Sequence, residues 1–158
     1  MSERAILFAT DHSDASRHAF PFACELAHDL GARLVVAHVS EHELQPVGEA
    51  ASRRAAPSPQ EMEQLRDFRP IFADVACDYR LLYGPPSSAN TCPEDEILRF
   101  ADEVDAYAIV VGTHGRSGLR RALLGSSAEA LLRKSRRPVV TVRCPQRCER
   151  DAEEEEGA

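Results

Sequence analysis

Four short runs of consecutive apolar residues restrict the fold of this chain more than any other feature. They lie at residues 5–9, 34–37, 108–111 and 139–142, and only the last is interrupted, by a threonine. Because successive side chains of a strand point to opposite faces of a sheet, a strand that is apolar throughout must be buried on both faces. We therefore predict a parallel sheet with helices on both faces, in which residues 79–83 form a weaker fifth strand.

Segments with helical periodicity lie between these predicted strands. Across residues 19–30, apolar side chains recur at three- and four-residue intervals, and Gly31 is expected to end the helix. Ser58, Thr91 and Ser126 are each followed three residues later by Glu, which predicts three further helices that begin with capping boxes. The predicted order is β1 (5–10), α1 (14–30), β2 (33–39), α2 (59–76), β3 (79–83), α3 (93–103), β4 (106–111), α4 (127–135) and β5 (138–143).

Charge is distributed unevenly along the chain. The net charge of −7 argues against general binding to nucleic acids. Residues 112–143 nevertheless carry eight basic side chains and one acidic one, which indicates either a small anionic ligand or an exposed basic helix face. The acidic run from 149 to 156 predicts that residues 146–158 form a solvated, disordered tail after an α/β domain of residues 1–145.

The chain is also predicted to be cytoplasmic. No apolar stretch approaches the roughly 18 residues that a membrane-spanning helix requires, so no membrane partner is expected. The first residues run directly into the first predicted strand and do not form a signal peptide. The five cysteines are mostly isolated, which fits reduced thiols, and no histidine-rich segment accompanies Cys144 and Cys148 to complete a metal site.

A glycine-rich segment after the fourth predicted strand carries the functional signal. It leaves the carboxyl end of a buried parallel strand, where open α/β sheets bind ligands, and it returns to the N-terminus of α4, where free N–H groups favour an anion. We therefore predict a phosphate cradle, although the glycines alone also fit a turn that closes a helix. Gly112 and Gly115 permit close approach of the backbone, Gly125, Ser126 and Ser127 lie where α4 opens, and Arg116, or else Arg120 or Arg121, could add positive charge.

Two common phosphate-binding motifs are absent from the sequence. The P-loop pattern needs Gly-Lys-Ser/Thr, but the only lysine is Lys134, which lies beyond the glycine-rich segment. The dinucleotide fingerprint should follow the first strand, where this chain has residues 10–13, Thr-Asp-His-Ser, instead. Both P-loop NTPases and Rossmann dehydrogenases are therefore disfavoured.

The spacing Gly112-x2-Gly115-x9-Gly125-Ser126 resembles the G-2x-G-9x-G(S/T) signature of nucleotide-binding universal stress proteins. Residues 6–13, residues 31–34 and the pair His38-Val39 are also similar to that family, and the resemblance covers about residues 4–143. It implies an adenine nucleotide alpha hydrolase-like fold, with an open five-stranded parallel sheet in the order 3-2-1-4-5. The crevice would then lie between β1 and β4.

The resemblance further implies ATP as the ligand, held with a divalent ion such as Mg²⁺ or Mn²⁺. Thr10 and Asp11 would lie near the ribose and base, the backbone of Val39 would contact the adenine edge, and the glycine-rich segment would hold the phosphates. Asp11 alternatively caps α1, and Ser126 alternatively caps α4. One departure from the family pattern is Ala128, where relatives often carry a further hydroxyl and for which Ser127 is a possible substitute.

The leading hypothesis is a cytoplasmic, ATP-binding universal stress protein that acts as a dimeric regulatory or stress-protective factor. As in the family, the homodimer would form by antiparallel pairing of β5. No catalytic residue is assigned, and hydrolysis is expected to be slow at most because no convincing water-activating base is found; His114 is expected to be structural or close to phosphate. The alternatives are a weak ATPase or adenylyl-transferring enzyme of the same architecture, or a nucleotide-free protein-interaction module.

Overall fold

A computed structural model describes residues 4–40, 58–84, 92–113 and 124–144 of the chain. The strands and helices alternate along the sequence. In chain order they are β1 (Ala5–Ala9), α1 (Asp14–Asp29), β2 (Arg33–Val39), α2 (Pro59–Arg66), β3 (Cys77–Leu82), α3 (Pro93–Glu103), β4 (Ala106–Gly112), α4 (Ser126–Lys134) and β5 (Val139–Val142). The predicted tail, residues 146–158, lies outside the described residues, so its predicted disorder stays a prediction.

The strands form one parallel sheet in the order β3-β2-β1-β4-β5, which confirms the predicted fold. The central strand β1 pairs with β2 from Ala5 opposite Arg33 to Ala9 opposite Ala37. On its other side β1 pairs with β4, with a register shift next to Ala5. The carboxyl ends of β1, β2 and β4 therefore meet at one edge of the sheet.

Both faces of the sheet are covered, as the uninterrupted apolar runs predict. Alternate residues of β1 face opposite clusters: Leu7 packs with buried residues of α3 and α4, whereas Phe8 packs with buried residues of α1 and α2. Every β1 side chain is at most 6% exposed. A strand of this kind has no polar positions, so polar groups that serve a function must lie where the strands end.

The first helix begins and ends at the predicted signals. The hydroxyl of Ser13, the N-cap residue, accepts a hydrogen bond from the backbone N–H of Ser16. Gly31, just past the C-terminal end, has φ +57°, a left-handed conformation that glycine adopts at little cost. The N–H of Ala32 then donates to the carbonyl of Ala27 at 2.8 Å, which closes the end of the helix.

The predicted length of α2 is wrong. The helix was expected to run over residues 59–76 but ends at Arg66. Pro70 explains the difference, because proline lacks a backbone N–H and disfavours the helical conformation of the residue before it. The chain then packs irregularly, with Phe68 buried and the hydroxyl of Tyr79 donating to the Phe68 carbonyl at 2.8 Å. The following strand starts at Cys77, two residues before the predicted position.

One of the three predicted helix caps is confirmed and two are wrong. The hydroxyl of Ser58 accepts from the N–H of Glu61 at 3.4 Å, as a capping box requires. The N-cap of α3 is Cys92 instead of Thr91, because Pro93 occupies the first helical position that its fixed φ suits. The N-cap of α4 is Gly125 instead of Ser126. Among the described residues, no helix combines the length and the apolar character needed to cross a bilayer.

The contact between Tyr79 and Phe68 gives a test of this irregular segment. Tyr79→Phe should lower the free energy of unfolding by about 1 kcal/mol, because the Phe68 carbonyl loses its donor in a partly buried setting. Urea unfolding measures the change, with Tyr107→Phe as the matched control because the Tyr107 side chain is 47% exposed. Equal changes in the free energy of unfolding for the two substitutions would contradict a stabilising hydrogen bond between Tyr79 and Phe68.

Candidate functional site

The connections that follow β1 and β4 run in opposite directions from the carboxyl ends of these two neighbouring strands. The chain leaves β1 towards β2 on one side, and it leaves β4 towards β5 on the other. In open α/β sheets this divergence leaves a crevice at the strand ends, where ligands bind. The residues that follow these two strands are therefore the first place to look for a site.

Asp11, two residues after β1, is held in a fixed orientation by the first turn of α1. Its Oδ1 atom accepts a hydrogen bond from the Ser13 N–H at 2.9 Å and from the Ser16 hydroxyl at 2.7 Å. The Asp11 N–H in turn donates to the Ser16 hydroxyl at 3.3 Å. The N-cap role belongs to Ser13, so the carboxylate of Asp11 is an acceptor placed beside the helix start.

These contacts keep Asp11 ionised. Burial raises the pKa of the carboxyl, but hydrogen bonds from Ser13, Ser16 and backbone amides outweigh burial, so the pKa lies below its ordinary value near 3.8. A depressed pKa means that the stabilisation is present above the unfolded-state pKa. It is lost as the pH falls through the lower folded-state pKa. At neutral pH Asp11 is a fixed negative charge and hydrogen-bond acceptor.

Thr10 and Val39 lie on the β2 side of Asp11. The Thr10 N–H donates to the Ala37 carbonyl at 2.9 Å, and this bond ends the ladder between β1 and β2. In a parallel ladder, alternate residues direct their N–H and C=O groups to the same neighbour, so Val39 directs its backbone groups towards the β1 side, past the end of β1. The Val39 side chain itself is buried.

Two histidines pack at this corner. The Nδ1 atom of His38 donates to the Thr10 carbonyl at 2.8 Å, and the His38 ring lies 4.4 Å from that of His12, centroid to centroid. His12 has φ +63°, which is uncommon for a residue with a side chain. The ring of Phe68 also packs near that of His12, with the centroids 5.8 Å apart. The pair forms one wall beside Thr10 and Asp11.

Gly112 allows α1 to approach the end of β4. A Cβ atom at this position would lie 2.7 Å from the backbone carbon and oxygen of Ala15 and 3.0 Å from the N atom of Ser16. Those distances are shorter than real Cβ contacts allow, so any side chain would push the first turn of α1 away. Glycine at 112 therefore brings the Asp11–Ser16 network against the end of β4.

A hydrogen bond joins the two ends of the glycine-rich segment. The Gly125 N–H donates to the Thr113 carbonyl at 2.6 Å, and the Thr113 N–H donates to the carbonyl of Val142 at 3.1 Å. Residues 114–123 between them, which include the predicted contacts Gly115 and Arg116, lie outside the described residues. The described part nevertheless brings Gly112 and Gly125, the two corners predicted from the spacing, to neighbouring positions.

The N-terminus of α4 faces the same region. Its N-cap residue is Gly125, which has no side chain with which to cap the first-turn N–H groups. Ser126 and Ser127 occupy the first turn and are exposed, whereas Ala128 is buried against the core. Uncapped N–H groups and the positive end of the helix dipole favour a negatively charged group here.

Comparison with known proteins identifies the family. The model of the universal stress protein family matches residues 3–143. This chain belongs to the universal stress protein family.

Individual universal stress proteins are also similar to this chain. Universal stress protein MJ0531 of Methanocaldococcus jannaschii is 44% identical over 55 residues, which is 35% of this chain and 32% of that protein, so this match spans about a third of the relative. YxiE of Bacillus subtilis is 28% identical over 155 residues, covering 87% of this chain and 97% of YxiE.

Solved structures of the family match almost the whole chain. A universal stress protein in complex with cAMP superposes with a TM-score of 0.64 at 25% identity, over 92% of this chain and 100% of that one. A universal stress protein from Archaeoglobus fulgidus in complex with dAMP gives a TM-score of 0.55 at 25% identity, over 89% and 98% of the two chains.

Sequence reasoning missed two residues that hold the candidate site together. Ser16 orients Asp11, and Thr113 links the glycine-rich segment to both Gly125 and Val142. Ser16 stands three residues after the N-cap, on the buried side of α1, and a buried serine at that position is a signal that could have been used. Thr113 offers no such signal, because both of these links are made by its backbone atoms.

The steric role of Gly112 gives a test that needs no ligand. Gly112→Ala should lower the free energy of unfolding by about 1–3 kcal/mol, the usual cost of overpacking, because its Cβ meets backbone of α1. Chemical denaturation measures the change. Gly31→Asn is the control: a Cβ at Gly31 meets nothing within 4 Å and Asn tolerates positive φ, so its cost should stay below about 1 kcal/mol. An equal cost at both positions would refute the packing role.

Proposed function

We propose that this universal stress protein binds ATP at the carboxyl edge of β1 and β4 and acts as a dimeric regulatory or stress-protective factor. The observation that carries the proposal is the bond between Gly125 and Thr113, beside Gly112 and the fixed carboxylate of Asp11. The bond holds the N-terminus of α4 at the end of β4, and Gly112 brings the first turn of α1 with Asp11 to the same strand end, which supports one crevice for a sugar and its phosphates.

Asp11, Thr10 and Val39 would hold the nucleoside. The Asp11 carboxylate is ionised and fixed by Ser16, so it is preorganised to accept hydrogen bonds from ribose hydroxyls. The backbone groups of Val39, which point past the end of β1, would contact the adenine edge. Related proteins have been solved with cAMP and with dAMP, and both ligands contain adenine, which supports adenine as the base.

The opposite side of the crevice would hold the phosphates. Ser126 and Ser127 offer first-turn N–H groups of α4, which attract negative charge, and Gly125, whose own N–H is bonded to Thr113, is the N-cap residue beside them. Gly115 and Arg116 are assigned to the phosphates by the sequence pattern, and Arg116 would add a positive charge there. A chain of several phosphates suits this arrangement, because a helix N-terminus and a guanidinium group can each neutralise part of its charge.

A divalent ion, Mg²⁺ or Mn²⁺, would accompany the triphosphate. Within the described ranges, no group of three or more His, Cys, Asp or Glu is arranged to hold a metal ion. Mg²⁺ is commonly bound through substrate phosphates and water with only one or two protein ligands, so this donor set fits an ion carried in by the nucleotide. The ion would neutralise phosphate charge when bound.

The regulatory role rests on the chemistry of the site. His38 has its Nδ1 atom bonded to the Thr10 carbonyl and lies in the protein interior, so it is not positioned as a base for an attacking water. Binding without rapid turnover suits a protein whose bound state, and not a product, is the signal. The cytoplasmic location stays a prediction from the sequence.

Removal of the Asp11 charge tests the nucleoside assignment. Asp11→Asn should weaken ATP binding about 10-fold, because a charge-assisted hydrogen bond becomes a neutral one, while the amide oxygen still accepts from Ser13 and Ser16. Isothermal titration calorimetry with ATP and Mg²⁺ measures the change. Asp29→Asn, at the exposed far end of α1, is the control with the same loss of charge.

The nucleotide series decides how specific the proposal is. ATP should bind more tightly than ADP, and ADP more tightly than AMP, because each phosphate adds contacts with α4 and Arg116. Equal affinities for AMP, cAMP and ATP would contradict the assignment of ATP as the ligand, while the site would remain one for adenine nucleotides. No uptake of any adenine nucleotide would overturn the function itself.

We further propose that the dimer forms through β5. This strand lies at the edge of the sheet, with β4 as its neighbour, and its four residues are only half-buried. The carbonyls of Pro138 and Val142 accept from β4-side residues, so the alternate residues Val139 and Thr141 direct their backbone groups to the open edge. Two copies that present the same edge across a two-fold axis pair antiparallel, which would cover this apolar edge.

Proline substitution separates the open side of β5 from the paired side. Thr141→Pro should abolish the dimer and leave the monomer folded, because it removes only an N–H on the open edge. Val140→Pro is the matched control: it removes an N–H on the β4 side and should lower the free energy of unfolding by about 1 kcal/mol or more. Sedimentation velocity and urea unfolding measure the two effects. A Thr141→Pro protein that remains dimeric would exclude this interface.

A further inference from the structure

A cavity of about 330 Å³ opens at the amino edge of the sheet, opposite the proposed nucleotide site. It lies where β1, β4 and β5 begin. The lining side chains used below are Arg4, Asp105, Tyr107, Arg136, Arg137 and Pro138. They come from the residue before β1, the start of β4 and the connection between α4 and β5, so three separate parts of the chain build it.

Two of the three arginines in this cavity carry uncompensated charge. Arg137 is neutralised, since its guanidinium contacts Asp102 at 3.1 Å and Asp105 at 3.0 Å and also donates to the Ala106 carbonyl. Arg4 lies over the ring of Tyr107, 5.1 Å from its centroid. Among the residues that the structure describes, neither Arg4 nor Arg136 has a carboxylate partner.

The chain itself carries a segment of opposite charge. Residues 149–156 contain six acidic side chains and one arginine. They follow in sequence Cys144, the last described residue, which lies beyond β5 at the carboxyl edge of the sheet. Within one copy, the cavity lies at the other end of β5. The six residue-to-residue steps from Pro138 to Cys144 span roughly 20 Å at about 3.3 Å each.

The proposed dimer places the two features side by side. In an antiparallel pair of β5 strands, the carboxyl end of one strand lies next to the amino end of the other. The partner's Cys144 would therefore lie near Pro138 of this copy. The partner's acidic residues would begin within roughly 17 Å of that point, the extended length of five residues. The path from the partner is thus shorter than the path within one copy.

We propose that the acidic segment 149–156 of one copy binds the cavity of Arg4 and Arg136 in the other copy. This inference rests on the β5 dimer of the proposed function. A two-fold dimer makes the contact twice, so the segments would act as reciprocal electrostatic straps across the interface. Exposed ion pairs each change an equilibrium only about 2- to 5-fold and are screened by salt, so the contact would tune the stability of the dimer without creating it.

Mixed dimers test the contact directly. One variant lacks residues 149–158 and keeps the cavity; the other keeps the segment and carries Arg4→Glu and Arg136→Glu. Neither homodimer can make the contact, whereas the mixed dimer makes it once. Native mass spectrometry of an equimolar mixture in volatile low-salt buffer should show mixed dimers well above the statistical half. The excess should disappear at about 0.5 M ammonium acetate, where charges are screened.

Each other outcome has a separate meaning. Mixed dimers at the statistical half, with dimers intact, would overturn this inference and leave the β5 dimer standing. Only monomers for the wild-type protein would overturn the proposed dimer and the inference together. Binding of the segment within its own copy gives no excess of mixed dimers, because neither variant has both parts. A control variant carries Arg80→Glu instead of the two cavity substitutions. Arg80 lies on β3 at the far edge of the sheet, so this variant tests the effect of charge reversal away from the cavity.

That control variant retains the cavity and the acidic segment. Mixed with the truncated variant, it forms homodimers with two contacts and mixed dimers with one, so mixed dimers should not be enriched. Enrichment equal to that seen with the Arg4 and Arg136 variant would show a general effect of net charge and would overturn the inference.

Discussion

Burial of the central strand on both faces is the constraint on which the rest of the structure depends. Ala5, Ile6, Leu7 and Phe8 are inaccessible to solvent, and Ala9 is 6% exposed. Their side chains alternate between two apolar clusters, so helices must cover both sides of the sheet. With no room for polar groups along β1, the groups that can bind a ligand are confined to the strand ends.

The same pattern explains how much the sequence could predict. Continuous apolar runs indicate buried strands without knowledge of their neighbours, so the strands and the parallel type of the sheet could be predicted from the sequence. The strand order, in contrast, came from the family resemblance. Errors arose where one residue outweighed the general pattern. Pro70 ended α2 early, and Pro93 moved the start of α3 beyond Thr91. Ser16 was missed because its role depends on the side chain it meets, which periodicity does not report.

Gly112 shows how packing and site geometry meet at one residue. The spacing of glycines in the sequence suggested a contact with phosphate, whereas the structure gives Gly112 a steric reason that involves no ligand. The two explanations are compatible. Close approach of α1 to the end of β4 places Ser16, and through it Asp11, near Gly112, next to the residue that bonds Gly125. A side chain at 112 would therefore disturb the site even if it never touched a nucleotide.

The proposed nucleotide site and the proposed dimer edge share a backbone connection. The carbonyl of Thr113 accepts a hydrogen bond from the N–H of Gly125 at the start of α4. The N–H of Thr113 donates to the carbonyl of Val142, the last residue of β5. A ligand at the N-terminus of α4 would lie next to Gly125, which is bonded to the residue that completes the ladder between β4 and β5. Coupling between the two sites requires that the nucleotide bind one arrangement of Thr113 more tightly than another, since a ligand shifts an equilibrium only by its difference in affinity. Because the energy of coupling is reciprocal, a β5 dimer that favours that same arrangement would raise the affinity for nucleotide by the same factor.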